Sequence, residues 1–207
     1  MQTPVITKTL LVSLRKAVKL RSRKHSSHYR KTNTARSLEA LGCGKLGNGH
    51  FGEAWLVRPG LVLKISGPAG WGNGEAGYYR TLNMQHYRGR KDAWPLFAEH
   101  CRGNPSKHLP TVYYTERLTT HIAFALMEEL YITRGDTQAL RSQWRRHISR
   151  PTDDCPKWLL PIGEMAATGR AVDLHGGNVL QRADGTIVLT DPFSYDDYLV
   201  GGYESTD

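Results

Sequence analysis

The stretch Leu46-Gly47-Asn48-Gly49-His50-Phe51-Gly52-Glu53-Ala54-Trp55-Leu56-Val57 decides how the first half of this chain is read. Gly47, Gly49 and Gly52 satisfy the spacing GxGxxG, which several unrelated phosphate-binding devices share. A Walker loop needs Gly-Lys followed by Ser or Thr, but Gly44-Lys45 is followed by Leu46, so the hydroxyl that would meet magnesium is missing. A dinucleotide loop needs its third glycine to open a helix whose N-terminus receives the pyrophosphate. Here Gly52 opens a short apolar run that stops at Arg58-Pro59-Gly60 and resumes as Leu61–Ile65, which reads as strand, turn, strand. The remaining device is a glycine loop between antiparallel strands, its backbone free of Cβ atoms and able to fold over phosphates. Phe51 stands at its tip, and Lys64 lies on the following strand. On these residues alone, a glycine turn followed by an ordinary surface lysine is an equal alternative.

A second segment tips that balance. Asp173-Leu174-His175-Gly176-Gly177-Asn178 sets a carboxylate and an amide five residues apart, and Asp191 follows at the end of the apolar run Thr186–Leu189. Phosphoryl transfer needs one carboxylate to orient the attacking hydroxyl and a second, with an amide oxygen, to hold Mg²⁺ against the β- and γ-phosphates. Asp173 fits the first role, and Asn178 with Asp191 fits the second. His175 is placed to steady the aspartate or the transferred phosphate. Each residue also has a plain reading, as a turn aspartate, a cap or a strand end. Their joint occurrence downstream of a glycine loop and a strand lysine favours the chemical one.

Between these segments, Glu75–Tyr87 has few breakers and is expected to be helical; Thr111–Thr115 and His121–Met127 are expected as strands. Residues 136–150 and 157–168 are expected as helices, the second weakened by Pro161. Val179–Leu180 and Thr186–Leu189 flank Ala183-Asp184-Gly185, an Asp-Gly hairpin signal. The order is a β-rich half with one helix, then helices, then a hairpin. Two lobes crossing near Glu128-Glu129-Leu130 are expected.

Taken together, these segments resemble the protein-kinase superfamily. The match is narrowed by the Asp-x-His-x-x-Asn loop and by Thr190-Asp191-Pro192, which stands where Asp-Phe-Gly is usual. With those two features the chain is most similar to the early Ser/Thr protein kinases of autographivirus-type bacteriophages, over roughly residues 41–198. The resemblance implies an α+β, minimal bilobal kinase-like fold, with a β-rich N-lobe carrying one helix (about 41–128) and a reduced helical C-lobe with a catalytic-loop hairpin (about 131–207). It implies ATP and Mg²⁺ as cofactors, with Gly47, Asn48, Gly49, Phe51 and Gly52 over the phosphates. Lys64 would contact the α/β-phosphates and pair with a helix glutamate, for which Glu75 is the candidate. Met127-Glu128-Glu129-Leu130 resembles the hinge that binds adenine, through Glu128 and Leu130. Asp173 would be the catalytic aspartate, and Asn178 and Asp191 the magnesium ligands. The implied partners are protein substrates, those of the host if the chain is phage-encoded, in the host cytoplasm.

Several positions depart from the kinase pattern. Ala171-Val172-Asp173 replaces His-Arg-Asp, removing the arginine that reads activation-loop phosphorylation, so control by that route is not implied. His175 replaces the usual lysine, as in many small-molecule phosphotransferases. Only sixteen residues follow Asp191, with no Ala-Pro-Glu and no room for a large peptide-binding helical lobe. A small-molecule phosphotransferase and a kinase-like binding module without strong catalysis therefore stand beside the protein kinase.

Composition bounds the rest. The chain has 207 residues and a formal charge of +9, which first suggests a nucleic-acid-binding protein. Yet residues 1–38 hold ten of the 28 basic residues and none of the 19 acidic ones, so the remainder is near neutral. The expectation is a basic arm over 1–38, helical over 6–20, on a catalytic body from residue 39. A solvated tail, an organelle address and a contact for nucleic acid or an acidic partner compete for that arm. Arg141, Arg145, Arg146 and Arg150 read as a solvated helix face. The three cysteines are odd in number, widely spaced and without a CxxC pair, which suits a reducing cytoplasm and neither a disulfide framework nor a zinc site. No apolar run is long enough to span a membrane.

Overall fold

The computed structural model describes residues 4–20, 33–48, 52–66, 93–119 and 122–196. The fold is α+β, with mostly antiparallel sheets and several helices. The chain divides into two compact units, Met1–Arg88 with Tyr113–Glu129, and Gly89–Val112 with Leu130–Asp207. Residues 89–112, expected in the first lobe, thus belong to the second unit. The helix expected over Glu75–Tyr87, and Gly49, Phe51 and Glu75 themselves, lie outside the described residues.

The first unit is built on a sheet in the order β1-β2-β3-β5-β4, formed by β1 (Gly44–Asn48), β2 (Gly52–Arg58), β3 (Leu61–Ser66), β4 (Val112–Arg117) and β5 (Ala123–Glu128). The β2–β3 hairpin turns at Pro59-Gly60, where Gly60 takes φ +80°, a value that glycine adopts without Cβ strain. Its N–H donates to Glu129 Oε2 at 2.8 Å, so Glu129 caps the turn. Side chains alternate along β3: Leu61, Leu63 and Ile65 enter the core, and Lys64 lies on the opposite face. Trp55, Phe124 and Leu126 complete the sheet's share of that core.

The other half of this core corrects the expectation of an arm. Helix α1 (Lys8–Lys19) buries Leu14, Ala17 and Val18 among Trp55, Leu63 and Ile65. Helix α2 (Asn33–Ala40) adds Leu38 and ends at Gly42, φ +79°, where Cys43 N–H returns to Leu38 C=O in a Schellman closure. Thr7 caps α1 by accepting from Leu10 N–H. Arg15 then locks the helix to β4. Its Nε and Nη2 donate to the two oxygens of Glu116 at 2.7 and 2.9 Å, and Tyr114 O–H donates to the same carboxylate at 2.7 Å. Burial pushes the Glu116 carboxyl up, but hydrogen bonds from Arg15 and Tyr114, with the charges of Arg15 and Lys19, outweigh it and hold the group below the usual carboxylate range. Residues 4–20 are therefore neither tail nor detached arm. The helical expectation holds nearly to its ends, and the lysines fall on the stripe that the core leaves exposed.

In the second unit, α3 (Trp94–Gly103), α4 (Gln138–Ser149) and α5 (Leu160–Ala167) accompany β6 (Tyr131–Ile132), β8 (Val179–Gln181) and β9 (Ile187–Leu189), in sheet order β6-β8-β9, and the pair β7 (Arg170–Val172) with β10 (Phe193–Asp196). Pro161 stands in the first turn of α5, where a missing N–H costs nothing. The Asp-Gly hairpin forms as read, with Gly185 at φ +85°. Trp144 packs edge-on against Trp158, and His108 packs against both rings. All three cysteines are buried and free. No helix among the described residues is long and apolar enough to cross a membrane.

Candidate active site

Asp173 follows β7 directly, and β7 is held by its antiparallel partner β10, in which Phe193 faces Val172. Pairing continues one step further: Asp173 N–H donates to Pro192 C=O at 2.7 Å. At the other end of the loop, Asn178 precedes β8, and its C=O accepts from both Thr190 N–H at 2.9 Å and Thr190 Oγ1 at 3.0 Å. The loop 173–178 therefore grips the two neighbours of Asp191, one at each end. Asp173, Asn178 and Asp191 are brought together by backbone bonds, whatever their side chains do.

The side chains use this frame. Asn178 is buried, and its Nδ2 donates to Asp173 C=O at 2.8 Å, which closes the loop and leaves the amide oxygen as the end available to a cation. Asp191 is half-buried, with Oδ1 shielded from solvent. One amide oxygen and one carboxylate form a hard oxygen set of the kind Mg²⁺ accepts alongside water and phosphate oxygens. The donor chemistry therefore fits magnesium. Three or more His, Cys, Asp or Glu side chains placed to hold a metal do not occur among the described residues.

Leu174 is buried, so its neighbours Asp173 and His175 point the other way, with side chains 38% and 61% exposed. A carboxylate this open can receive a substrate hydroxyl. His175 Nδ1 accepts from Gly177 N–H at 3.0 Å, which in the neutral ring leaves the proton on Nε2. That nitrogen lies 3.8 Å from Asp173 Oδ2 and presents an N–H toward the carboxylate's side of the loop. A Cβ on Gly177 would stand 2.9 Å from His175 Cε1, so glycine is what lets the imidazole fold back in this way.

Arg141, expected on a solvated helix face, instead turns to the loop. From α4 its Nη1 donates to Leu174 C=O at 3.3 Å, while its Nε bonds Thr137 Oγ1 at 3.1 Å. It braces the middle of the loop across 33 positions of sequence, a distance over which no local pattern signals the contact.

The residues of the glycine segment lie in the first unit. Gly47, Ala54, Lys64 and Ala125 form one cross-strand row over β1, β2, β3 and β5, so Lys64 is flanked by residues no larger than alanine. Asn48 ends β1 opposite Glu53. Leu46 is an extra residue between the Lys45–Trp55 and Gly47–Ala54 pairs, a bulge that turns the strand just before the glycines. Gly52 has a tertiary requirement: an added Cβ would fall 2.5 Å from Ile65 C=O. Glu128 is the buried last residue of β5, and Leu130, half-buried, begins the second unit. Glu129, between them, serves the β2–β3 turn.

Neither a protein-family model nor a curated protein matches the sequence.

Proposed function

We propose that the chain is an ATP- and Mg²⁺-dependent phosphotransferase of the protein-kinase type, acting on Ser or Thr hydroxyls of proteins. The observation that supports this best is the double clasp of loop 173–178 on the residues flanking Asp191. It collects an open carboxylate and a hard oxygen pair from two separate stretches of sequence, which are the parts in-line phosphoryl transfer needs. A lysine flanked by alanines on an antiparallel sheet supports the same reading.

In this mechanism Asp173 accepts and orients the proton of the attacking hydroxyl, and Asn178 and Asp191 hold the metal through oxygen. Bound Mg²⁺ would neutralise charge developing on the phosphate oxygens. Lys64 is assigned to the nucleotide phosphates. Positioning and preorganised charge supply the rate, so the rigid clasp matters as much as the groups it carries. Fold-level likeness to the kinase superfamily, and to its phage members in particular, rests on the motif resemblance.

Incubation of the purified chain with radiolabelled Mg-ATP and bacterial lysate tests the proposal. Label is expected on protein Ser and Thr, with a loss of about 10²-fold or more in Asp173→Ala. Label transfer unaffected by Asp173→Ala would overturn the assignment. His175, standing where protein kinases carry lysine, favours one second reading, a small-molecule phosphotransferase. Labelling of an aminoglycoside or sugar with none on protein would select it.

A further inference from the structure

The turn after α3 borders an open cleft of about 480 Å³ that lies wholly within the second unit and apart from loop 173–178. Arg102, Lys107 and Arg182 line it together with the hydroxyls of Ser106 and Thr111, and Pro105 and Pro110 contribute apolar wall. Among the described residues no carboxylate and no aromatic ring lines it.

The cationic wall is built rather than incidental. Arg182, directly after β8, donates through Nη2 to Leu109 C=O at 2.9 Å and through Nη1 to Lys107 C=O. The β9 strand holds the same turn, with Leu189 N–H on His108 C=O at 2.9 Å and His108 Nδ1 3.0 Å from Ile187 C=O. Ser106 Oγ accepts from His108 N–H at 3.3 Å, which leaves its O–H to donate elsewhere. Asp184 lies close enough to Arg182 for their charges to interact, and its Oδ1 accepts from Thr186 N–H at 2.9 Å. The carbonyl end of α3 would repel an anion, and Asn104 engages one carbonyl of that end, donating to His100 C=O through both N–H and Nδ2.

We propose that this pocket binds a phosphate monoester carried on a peptide, that is, a phosphorylated Ser or Thr of a protein partner. Three cations and two hydroxyls on one concave wall match a dianion with three acceptor oxygens. The volume exceeds what a phosphate alone fills and admits the residues on either side of it, against the two prolines. The lining offers no ring on which bases stack, the feature that single-stranded nucleic-acid sites rely on. The proposal is independent of the phosphotransferase reading, because none of these residues belongs to that site.

Fluorescence anisotropy with the full chain tests it, using a labelled Gly-Ala peptide with one central phosphoserine and its unphosphorylated twin. The phosphopeptide is expected to bind at least about tenfold more tightly than the twin, and to weaken as salt rises. Arg102→Glu with Lys107→Glu, both exposed side chains, is expected to remove that preference while the circular dichroism spectrum stays unchanged. If that variant misfolds, competition on the unaltered chain decides. Displacement of the peptide by inorganic phosphate at equal concentration would reduce the pocket to an ion site and overturn the proposal. Equal binding of the twin, phosphopeptide binding that survives in the folded double variant, or displacement by oligothymidine at lower concentration than by phosphopeptide would overturn it as well.

Discussion

Gly52 shows how one residue can answer to two demands. In the sequence it completes a glycine spacing associated with phosphates. In the fold it is where β2 passes so close to β3 that a methyl group would meet Ile65 C=O at 2.5 Å. That contact is with backbone, which cannot rotate away. Gly52→Ala is therefore expected to destabilise the chain by about 1–3 kcal/mol through overpacking, read as a lower urea midpoint with an unchanged slope. The same substitution at Gly47, where an added Cβ meets nothing within 4 Å, is expected to leave the midpoint within about 0.5 kcal/mol. The residues Asp173, Asn178 and Asp191 are legible as a set because the proposed phosphoryl transfer would use each chemical type and their spacings are local. Arg141 and Thr190 were not legible in their bracing roles. Each acts on a main-chain carbonyl, and any sequence would have supplied that carbonyl.

At the scale of elements, α1 is the instructive case. Its amphipathic spacing predicted a helix, and the helix is there. The spacing says nothing about what receives the apolar stripe, because a docked helix and a free basic one share the same pattern. Docking is decided by the apolar face of β2, β3 and β5 and by the Arg15–Glu116–Tyr114 contact, whose partners lie about a hundred residues apart. This contact gives the fold a pH dependence of defined sign. The native carboxyl of Glu116 is held below its unfolded value of about 4.3, so its contribution is complete above that pH and is lost as pH falls toward the native value. Thermal midpoints are expected to fall with acidification below about pH 4.5 more steeply in the native chain than in Glu116→Gln. Parallel curves would remove the role assigned to this pair.

For the whole molecule, the consequence is that the basic N-terminal segment is not separable from the sheet that carries Lys64. Removing residues 1–20 would expose Leu63, Ile65 and Trp55, which are fully buried now. The truncated chain is expected to bind a hydrophobic dye and to lose its cooperative unfolding transition. Retention of a full-length melting profile would restore the reading of a dispensable arm. What the sequence by itself determined was local: turns at Pro59-Gly60 and Asp184-Gly185, the period of each strand and helix, and which residues bring oxygen and nitrogen groups to loop 173–178. These depend on backbone preference and side-chain type, which neighbouring residues specify. The tertiary structure alone decided that α1 belongs to the first core, that residues 89–112 belong to the second unit, and that loop 173–178 clasps both sides of Asp191. It also decided that Arg182 closes a cationic pocket with residues 73 and 75 positions away. Those outcomes rest on shape and on hydrogen bonds to main-chain groups that every residue carries, so no pattern of residue types announces them.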